Sequence, residues 1–190
     1  MKKIEIKEFG GPEVLEIKNV DIGKPGQNEV LVKNLSIGIN YIDTYHRSGL
    51  YPIPLPSGIG LEACSIIEEV GSEVKLFKVG DRVTRASMPI GTYSEKQIIP
   101  EDKLVKVPDN ISDEVASCIT LKGITAEYLL HRTYQVKKGD KILYHAAAGA
   151  LGQIFCPWAN ALGAEIIGTV GSDEKIEIAK KNGCHHVINY

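Results

Sequence analysis

The sequence contains few of the features that mark membrane proteins and nucleic-acid-binding proteins. No apolar run approaches the ~20 residues that a membrane-spanning helix requires, and the basic start of the chain is not followed by the apolar segment of a signal peptide. The net charge is −2 at pH 7, and no block of lysine and arginine marks a partner with a phosphate backbone. We therefore expect neither a membrane nor a nucleic acid as a partner.

Cysteines are also few, and their spacing excludes two kinds of site. The four thiols, Cys64, Cys118, Cys156 and Cys184, are scattered without a C-x-x-C pair. A disulfide framework and a four-thiolate zinc site both depend on more regular cysteine spacing. The pattern favours a reducing compartment, and the cytoplasm is the simplest location.

Residues 1 to about 110 contain many short apolar runs separated by Gly and Pro, which is typical of a small barrel or a partly open β domain. Residues 41–48 are compatible with a short helix or an ordered loop. Three prolines in residues 51–56 remove backbone donors and predict an exposed extended loop. The predicted strands cover residues 3–9, 14–20, 29–36, 63–70, 91–99 and 103–107, with a further one that includes Val83.

After residue 111 the pattern changes to alternating helices and strands. Ser112 is a plausible N-cap for one or two helices that reach about Tyr134. A buried strand at residues 141–144 leads through a glycine-rich turn into an amphipathic helix. A strand at 165–170, a helix that begins at Ser172–Glu174 and a strand at 187–190 follow. This succession is one half of a doubly wound nucleotide-binding fold.

The glycine-rich turn fits the dinucleotide fingerprint G-x-G-x-x-G with Ala147 in the first position. Gly149 takes the second position, where backbone N–H groups approach a pyrophosphate. Gly152 takes the third, where the helix packs closely on the strand, and the helix N-terminus favours the anion. The alternative is an ordinary tight turn between a strand and a helix.

The end of the second strand indicates which dinucleotide is bound. An NAD-binding fold normally has an acidic residue there for the ribose 2′-hydroxyl. This chain has Gly171 and Ser172, with Lys175 three residues further, and a small donor with a cation suits a 2′-phosphate. NADP is therefore favoured over NAD. The alternatives are a solvated lysine with an N-cap serine, and Asp173 as the ribose acid.

Six segments, in order, closely resemble the bacterial NADPH:quinone oxidoreductases, the zeta-crystallin-like branch of the zinc-independent medium-chain dehydrogenase/reductase superfamily. The resemblance covers all 190 residues. The matching segments are residues 40–45, 48–52, 60–63, 121–125, 145–152 and 168–171.

The resemblance implies a fold class of α/β and β. A GroES-like N-terminal β domain at residues 1–111 would be followed at 112–190 by the first half of a Rossmann-type doubly wound domain. It implies two-electron reduction of quinones by hydride from NADPH, with the cofactor between the domains. It also implies a homodimer whose dimer-forming segment lies outside these residues.

The resemblance also implies roles for individual residues. Asn40 and Thr125 would face the nicotinamide, and Tyr45 and Tyr51 would line the quinone side. The remaining cofactor-binding residues would be Gly149, Ala150, Leu151 and Gly152 under the pyrophosphate, Gly171, Ser172 and Lys175 around the 2′-phosphate, and Tyr190 near the adenosine half. Alternatives stay open, because Asn40 also suits a helix cap, Thr125 a helix hydroxyl bonded to its own backbone, and the tyrosines packing.

No metal site is expected. The zinc-dependent relatives have a His-Glu pair where this chain has Leu61 and Glu62, and leucine cannot ligate zinc. Adjacent His185 and His186 would point to opposite faces of a strand. Hydride transfer to an electron-poor quinone depends on positioning, so no dedicated catalytic acid is expected either.

Two features favour a second hypothesis, a truncated remnant of such an enzyme with weak nucleotide binding and no catalysis. The sequence reaches only three strands of the Rossmann-type domain. Pro157 lies within the fingerprint helix, where it removes a hydrogen bond to Gln153 at an expected cost of ~3 kcal/mol or a kink.

Overall fold

The computed structural model describes residues 1–190, which form two compact units, Met1–Leu121 and Lys122–Tyr190. Helix α2 (Asp113–Tyr128) contains the division between the units and is followed by a π-helical turn, Leu129–Thr133. No helix is long and apolar enough to cross a membrane.

The first unit is built from two antiparallel sheets. The larger sheet has the order β7-β3-β5-β6-β8 and the smaller one the order β2-β1-β4. The strands are β1 (Lys2–Ile6), β2 (Glu16–Asn19), β3 (Glu29–Gly38), β4 (Ser57–Gly58), β5 (Glu62–Val70), β6 (Arg82–Ala86), β7 (Lys96–Pro100) and β8 (Val105–Lys106), with short 3-10 turns at Pro12–Val14 and Glu101–Lys103.

The core of the first unit lies against the larger sheet. Alternating side chains of neighbouring strands point to one face and exclude water, as expected for half-buried antiparallel strands. The buried cluster comprises Val30, Val32, Ile67, Val83, Ile99 and Leu104. A second small cluster joins Cys64 and Val107 to Ala116, so the beginning of α2 packs on the first unit.

A short helix, α1 (Tyr41–Ser48), follows β3 and carries the predicted site residue Tyr45, with Asn40 directly before it and Tyr51 shortly after it. It begins after Asn40, whose backbone N–H donates to the Asp43 carboxylate at 2.9 Å. It ends at Gly49, which has a φ of 81° and therefore suits glycine. The capping pattern explains why these eight residues are helical although the segment was compatible with a loop.

The second unit is a three-stranded parallel sheet with helices between its strands. Its strands are β9 (Lys141–Tyr144), β10 (Glu165–Val170) and β11 (His186–Asn189), in the order β11-β10-β9. Helices α3 (Gly152–Ala161) and α4 (Glu174–Lys181) connect them. Buried Phe155, Ala159 and Ala179 on these helices pack with Ile166 and Val170 of β10. This is the strand order of half of a doubly wound fold, as the sequence predicted.

Helix α3 continues through Pro157 without interruption. Pro157 and Gln153 both lie on the exposed face of the helix. The carbonyl of Gln153 that loses its partner can therefore bond to water, so the proline does not leave a buried polar group unpaired. Pro157 therefore does not end the helix.

Most element types agree with the sequence predictions, apart from the short strand β4, which was not predicted, and several boundaries differ. The strand predicted at 91–99 begins only at Lys96, because residues 91–93 hydrogen-bond to Ile59 and Gly60 in a loop. Helix α4 follows Asp173, and no side chain caps it. The compact units divide at Leu121, ten residues beyond the predicted boundary at 111, because the first turns of α2 pack on the first unit.

Candidate functional site

The turn between β9 and α3 presents unpaired backbone donors. The N–H of Ala147 donates to Thr169 and that of Gly149 donates to Ala146, which fixes the turn. The N–H groups of Ala150 and Leu151 have no hydrogen-bond partner within the chain. Because they lie directly before the first residue of α3, they form the donor cluster that favours an anion.

Steric limits explain the glycine at the third fingerprint position. A Cβ at Gly152 would lie 2.4 Å from the carbonyl oxygen of Ala147 and 2.7 Å from its carbonyl carbon. A Cβ at Gly149 would lie 3.0 Å from the oxygen of Ala146, which is tight but less severe. Gly152 is therefore required by the close approach of helix and turn, as the fingerprint predicts.

Ala146 carries backbone strain that the sequence did not reveal. Its φ is 56°, and it is the only residue other than glycine with a positive φ. Such conformations cost of order 1 kcal/mol or more for an alanine and concentrate at ligand sites. The strain coincides with the donor-rich turn.

A cavity of about 160 Å³ lies beside this turn in the second unit. Its walls come from the ends of β9 and β10, the first turn of α4 and the end of the chain, and they comprise Ala146, Ala148, Gly149, Val170, Gly171, Lys175 and Tyr190. Four predicted cofactor-binding residues, Gly149, Gly171, Lys175 and Tyr190, thus line one space. Ala150, Leu151 and Gly152 continue the turn, and Ser172 follows Gly171.

Charge in this cavity comes from Lys175, which forms no ion pair within the chain. Asp173 is not among the lining residues, and its carboxylate accepts a hydrogen bond from the Asn189 amide at 2.6 Å. The geometry therefore favours a lysine facing an anion over Asp173 holding a ribose hydroxyl.

In the first unit, α1 presents an aromatic surface formed by Tyr41, Tyr45 and Tyr51. The ring centroids of Tyr41 and Tyr45 are 5.3 Å apart, and those of Tyr45 and Tyr51 are 5.2 Å apart. Tyr41 is 76% exposed and Tyr51 is 50% exposed. Residues 51–56 are mostly exposed and contain no helix or strand, and the start of this loop is fixed by a bond from the N–H of Tyr51 to the carbonyl of Tyr45.

The first unit also contains a buried polar group centred on Asn40 and Glu62. The Asn40 amide donates to one Glu62 oxygen at 2.9 Å, and the backbone N–H of Leu121 donates to the other at 2.7 Å. Glu62 is completely buried. Asn40 is thus the N-cap of α1, and its side chain is also oriented by Glu62.

A second buried contact joins α1 to residue 93. The Tyr93 hydroxyl donates to Asp43 at 2.9 Å. Burial raises the pKa of Asp43, although the bonds from Asn40 and Tyr93 and the nearby His46 oppose that effect. Burial and the Asp43 carboxylate raise the pKa of Tyr93.

Thr125 lies half-buried on α2 in the second unit, whereas Asn40, Tyr45 and Tyr51 belong to the first. The structure brings Tyr45 and Tyr51 together on one aromatic surface in the first unit. It brings Gly149, Gly171, Lys175 and Tyr190 together around one cavity in the second unit. Tyr41, Asp43, Tyr93 and Ala146 were not predicted. Aromatic spacing on α1 could have suggested Tyr41.

The residues at the zinc position of related dehydrogenases do not fit zinc. Both Glu62 oxygens accept hydrogen bonds, and its neighbour Leu61 is apolar. Across residues 1–190, no group of three or more His, Cys, Asp and Glu side chains is placed to hold a metal ion.

Comparison with known proteins relates both units to one kind of enzyme. Residues 26–109 match the family described as "Alcohol dehydrogenase GroES-like domain", and residues 150–190 match "Zinc-binding dehydrogenase". A quinone oxidoreductase of Pseudomonas aeruginosa is 52% identical over 190 residues, which are 100% of this chain and 58% of that protein. The chain is a homologue of the quinone oxidoreductases.

Solved structures agree in fold. The Escherichia coli quinone oxidoreductase complexed with NADPH has a TM-score of 0.97 and 50% identity, over 100% of this chain and 59% of that chain. A 2-haloacrylate reductase of Burkholderia is 48% identical over 192 residues, which are 97% of this chain and 57% of that protein. The chain therefore spans less than two thirds of the length of these relatives.

Proposed function

We propose that this chain provides the NADPH-binding and quinone-facing residues of a quinone oxidoreductase. The observation that carries the proposal is the cavity at the carboxyl ends of β9 and β10, where an unpaired lysine and the donor-rich start of α3 adjoin one space. Ligands of open α/β sheets bind at the carboxyl ends of the strands. Relatives about half identical to this chain support both the cofactor and the reaction.

The proposed roles follow from the chemistry of each side chain. The N–H groups of Ala150 and Leu151, with Gly149 and Gly152 allowing close approach, hold the pyrophosphate. Lys175 pairs with the 2′-phosphate beside Gly171 and Ser172, and Tyr190 contacts the adenosine half. Bound NADPH supplies the hydride.

Asn40 and Thr125 are proposed at the nicotinamide end, where Glu62 holds the Asn40 amide in a fixed orientation. Tyr45 and Tyr51 are proposed to hold the quinone ring. Flat aromatic rings favour offset-stacked or edge-to-face partners, which suits a planar quinone.

The similarity to a 2-haloacrylate reductase suggests a second class of substrate, an activated alkene that bears a carboxylate. The α1 surface favours the quinone, because none of its three tyrosines provides a cation that would pair with a carboxylate. Assays with a benzoquinone and with 2-chloroacrylate as the substrate distinguish these two substrate classes.

The proposal has two further parts, the location of the enzyme and its oligomeric state. We place the enzyme in the cytoplasm, which suits its four free cysteines. We also infer a homodimer as its working form.

Quinone-dependent oxidation of NADPH by the purified protein tests the proposal. We expect Tyr51→Ala to lower kcat/KM for the quinone about tenfold while NADPH affinity stays the same, because an aromatic contact contributes up to ~1.5 kcal/mol beyond its buried area. Tyr134→Ala is the matched control, since Tyr134 is 60% exposed and lies outside the α1 surface.

Turnover that requires quinone and falls in Tyr51→Ala alone would support the proposal. NADPH binding without turnover by the folded protein would instead support the nucleotide-binding remnant without catalysis.

A further inference from the structure

Near the end of β10, Thr169 forms hydrogen bonds to the β9–α3 turn at two points. Its carbonyl accepts the N–H of Ala147 at 3.0 Å. Its hydroxyl shares a hydrogen bond with Nδ1 of His145, also at 3.0 Å. Thr169 is 6% exposed, so water competes little for its hydroxyl. These two bonds, named here the Thr169 clamp, hold the residues directly before and after Ala146.

Ala146 needs such support because its backbone conformation is unfavourable. Its φ is 56°, and at a positive φ the Cβ of an alanine approaches the following carbonyl oxygen too closely. Strain of this kind persists only where the surrounding structure holds it, and it concentrates at ligand sites. The Thr169 clamp acts on both neighbours of the strained residue, so it supplies that support.

The strained residue is connected to the donors proposed for the pyrophosphate. The Ala146 carbonyl accepts the N–H of Gly149 at 2.8 Å, and Gly149 directly precedes Ala150 and Leu151. Ala146 and Gly149 also both line the cavity of about 160 Å³. A change of φ at Ala146 would redirect its carbonyl and release Gly149. The N–H groups of Ala150 and Leu151 would then lose their fixed position.

We propose that Thr169 is a positioning residue for nucleotide binding, which holds Ala146 at its strained φ and so keeps the β9–α3 turn in the shape that receives the cofactor. Thr169 is not among the residues that line the cavity, so it acts through His145 and Ala147. A turn already held in its binding shape needs no ordering when the ligand arrives, and this improves affinity. The positioning role rests on the proposed function, whereas the Thr169 clamp itself does not.

Hydrogen exchange of the Ala147 amide, followed by NMR without nucleotide, tests the Thr169 clamp. Thr169→Val removes the hydroxyl but keeps the backbone carbonyl and a β-branched side chain suited to a strand. We expect the Ala147 amide to exchange about fivefold faster in this variant, because the turn opens more often when the bond to His145 is lost. Thr169→Ser keeps the hydroxyl and should stay within about twofold of the unmodified rate. Equal exchange rates in the two variants would overturn the clamp.

Fluorescence titration with NADPH and NADH tests the positioning role. In Thr169→Val we expect the Kd for NADPH to rise about fivefold, because binding must first restore the turn. The Kd for NADH should rise by the same factor, since both nucleotides contain the pyrophosphate. Thr169→Ser should stay within about twofold of the unmodified Kd. Thr133→Val, at an exposed threonine of the second unit, is the control and should leave both Kd values unchanged.

Ala146→Gly distinguishes positioning from a general loss of packing. Glycine adopts a positive φ without strain, so a turn with glycine at this position no longer depends on the Thr169 clamp. When Thr169→Val is combined with Ala146→Gly, we expect the Kd for NADPH to return to within about twofold of the unmodified value. A loss that stays at about fivefold in the double variant would overturn the positioning role, because it would not arise from the φ of Ala146.

Equal Kd values for NADPH in Thr169→Val and Thr169→Ser would also overturn the positioning role. Absence of NADPH binding by the unmodified protein would remove the proposed function and the positioning role together. The exchange rate of the Ala147 amide would still decide whether the Thr169 clamp exists.

Discussion

Gly152 occupies a position where the backbone leaves no room for a side chain. In Gly152→Ala the new Cβ would meet the Ala147 carbonyl at 2.4 Å, and backbone atoms cannot rotate away. We expect the free energy of unfolding to fall by about 1–3 kcal/mol, because overpacking forces the backbone to shift. Urea titration followed by the fluorescence of Trp158, the single tryptophan, measures this in the second unit.

Gly123→Ala is the matched control for that substitution. Gly123 lies within α2, and a Cβ there would meet nothing within 4 Å. Alanine is better than glycine in a helix by about 1 kcal/mol, so this variant should be as stable as the original or more so. Equal losses in both variants would contradict the steric explanation of Gly152.

At the residue scale, the sequence could predict the positions that a local pattern specifies. Gly149 and Gly152 follow from the fingerprint, and the structure provides the close approach it implies. The bond between Tyr93 and Asp43 joins residues 50 positions apart, so no local pattern contains it. The strain at Ala146 also depends on the folded turn, because alanine does not itself favour a positive φ.

Helix α3 shows how tertiary packing compensates for an unfavourable residue. Its buried face, with Phe155, Cys156 and Ala159, packs in the core of the second unit, while Pro157 faces solvent. Most helix stability in proteins comes from packing of an apolar face, so the helix survives the loss of one exposed hydrogen bond. The sequence predicted that Pro157 removes a hydrogen bond from the helix. It could not show that the proline lies on the exposed face, where water can replace that bond.

Pro157→Ala should stabilise the second unit. Alanine restores the N–H that bonds to the Gln153 carbonyl, and we expect the free energy of unfolding to rise by about 1–3 kcal/mol. Gln153→Ala, on the same exposed face, should change it by less than about 0.5 kcal/mol. Trp158 fluorescence in urea reports both. A stability loss in Pro157→Ala would show that the proline makes native contacts that the helix requires.

At the element scale, the sequence could not predict that the first turns of α2 belong to the first unit. Composition changes at residue 112, and the sequence placed the boundary there. The units divide at Leu121 because Ala116 packs with Cys64 and Val107 of the first unit. An apolar face predicts that a helix is buried, but it does not predict which core receives it.

At the scale of the whole molecule, the four thiols report the packing of both units. Cys64, Cys156 and Cys184 are buried, and Cys118 is exposed. Burial raises the pKa of Cys64 to about 11 and that of Cys156 to about 12, and it also raises the pKa of Cys184. The thiolate is the reactive form, so these three thiols should be unreactive near neutral pH in the folded chain.

Labelling with a thiol-specific disulfide reagent at pH 8 should therefore modify Cys118 quickly and the other three only after unfolding. Cys118→Ser should abolish the fast phase. Fast labelling of a second cysteine in the native protein would show that one of the two cores opens more readily than its packing implies.

We propose that the cavity beside the β9–α3 turn holds NADPH through Lys175. Fluorescence titration of the purified protein with NADPH and NADH tests it most directly, using Lys175→Ala and, as control, Lys181→Ala at the far end of the same helix. We predict tighter binding of NADPH than of NADH. Lys175→Ala should lose about tenfold in NADPH affinity, or ~1.4 kcal/mol, with NADH affinity unchanged. Equal affinities for the two nucleotides, or equal losses in both lysine variants, would contradict the account.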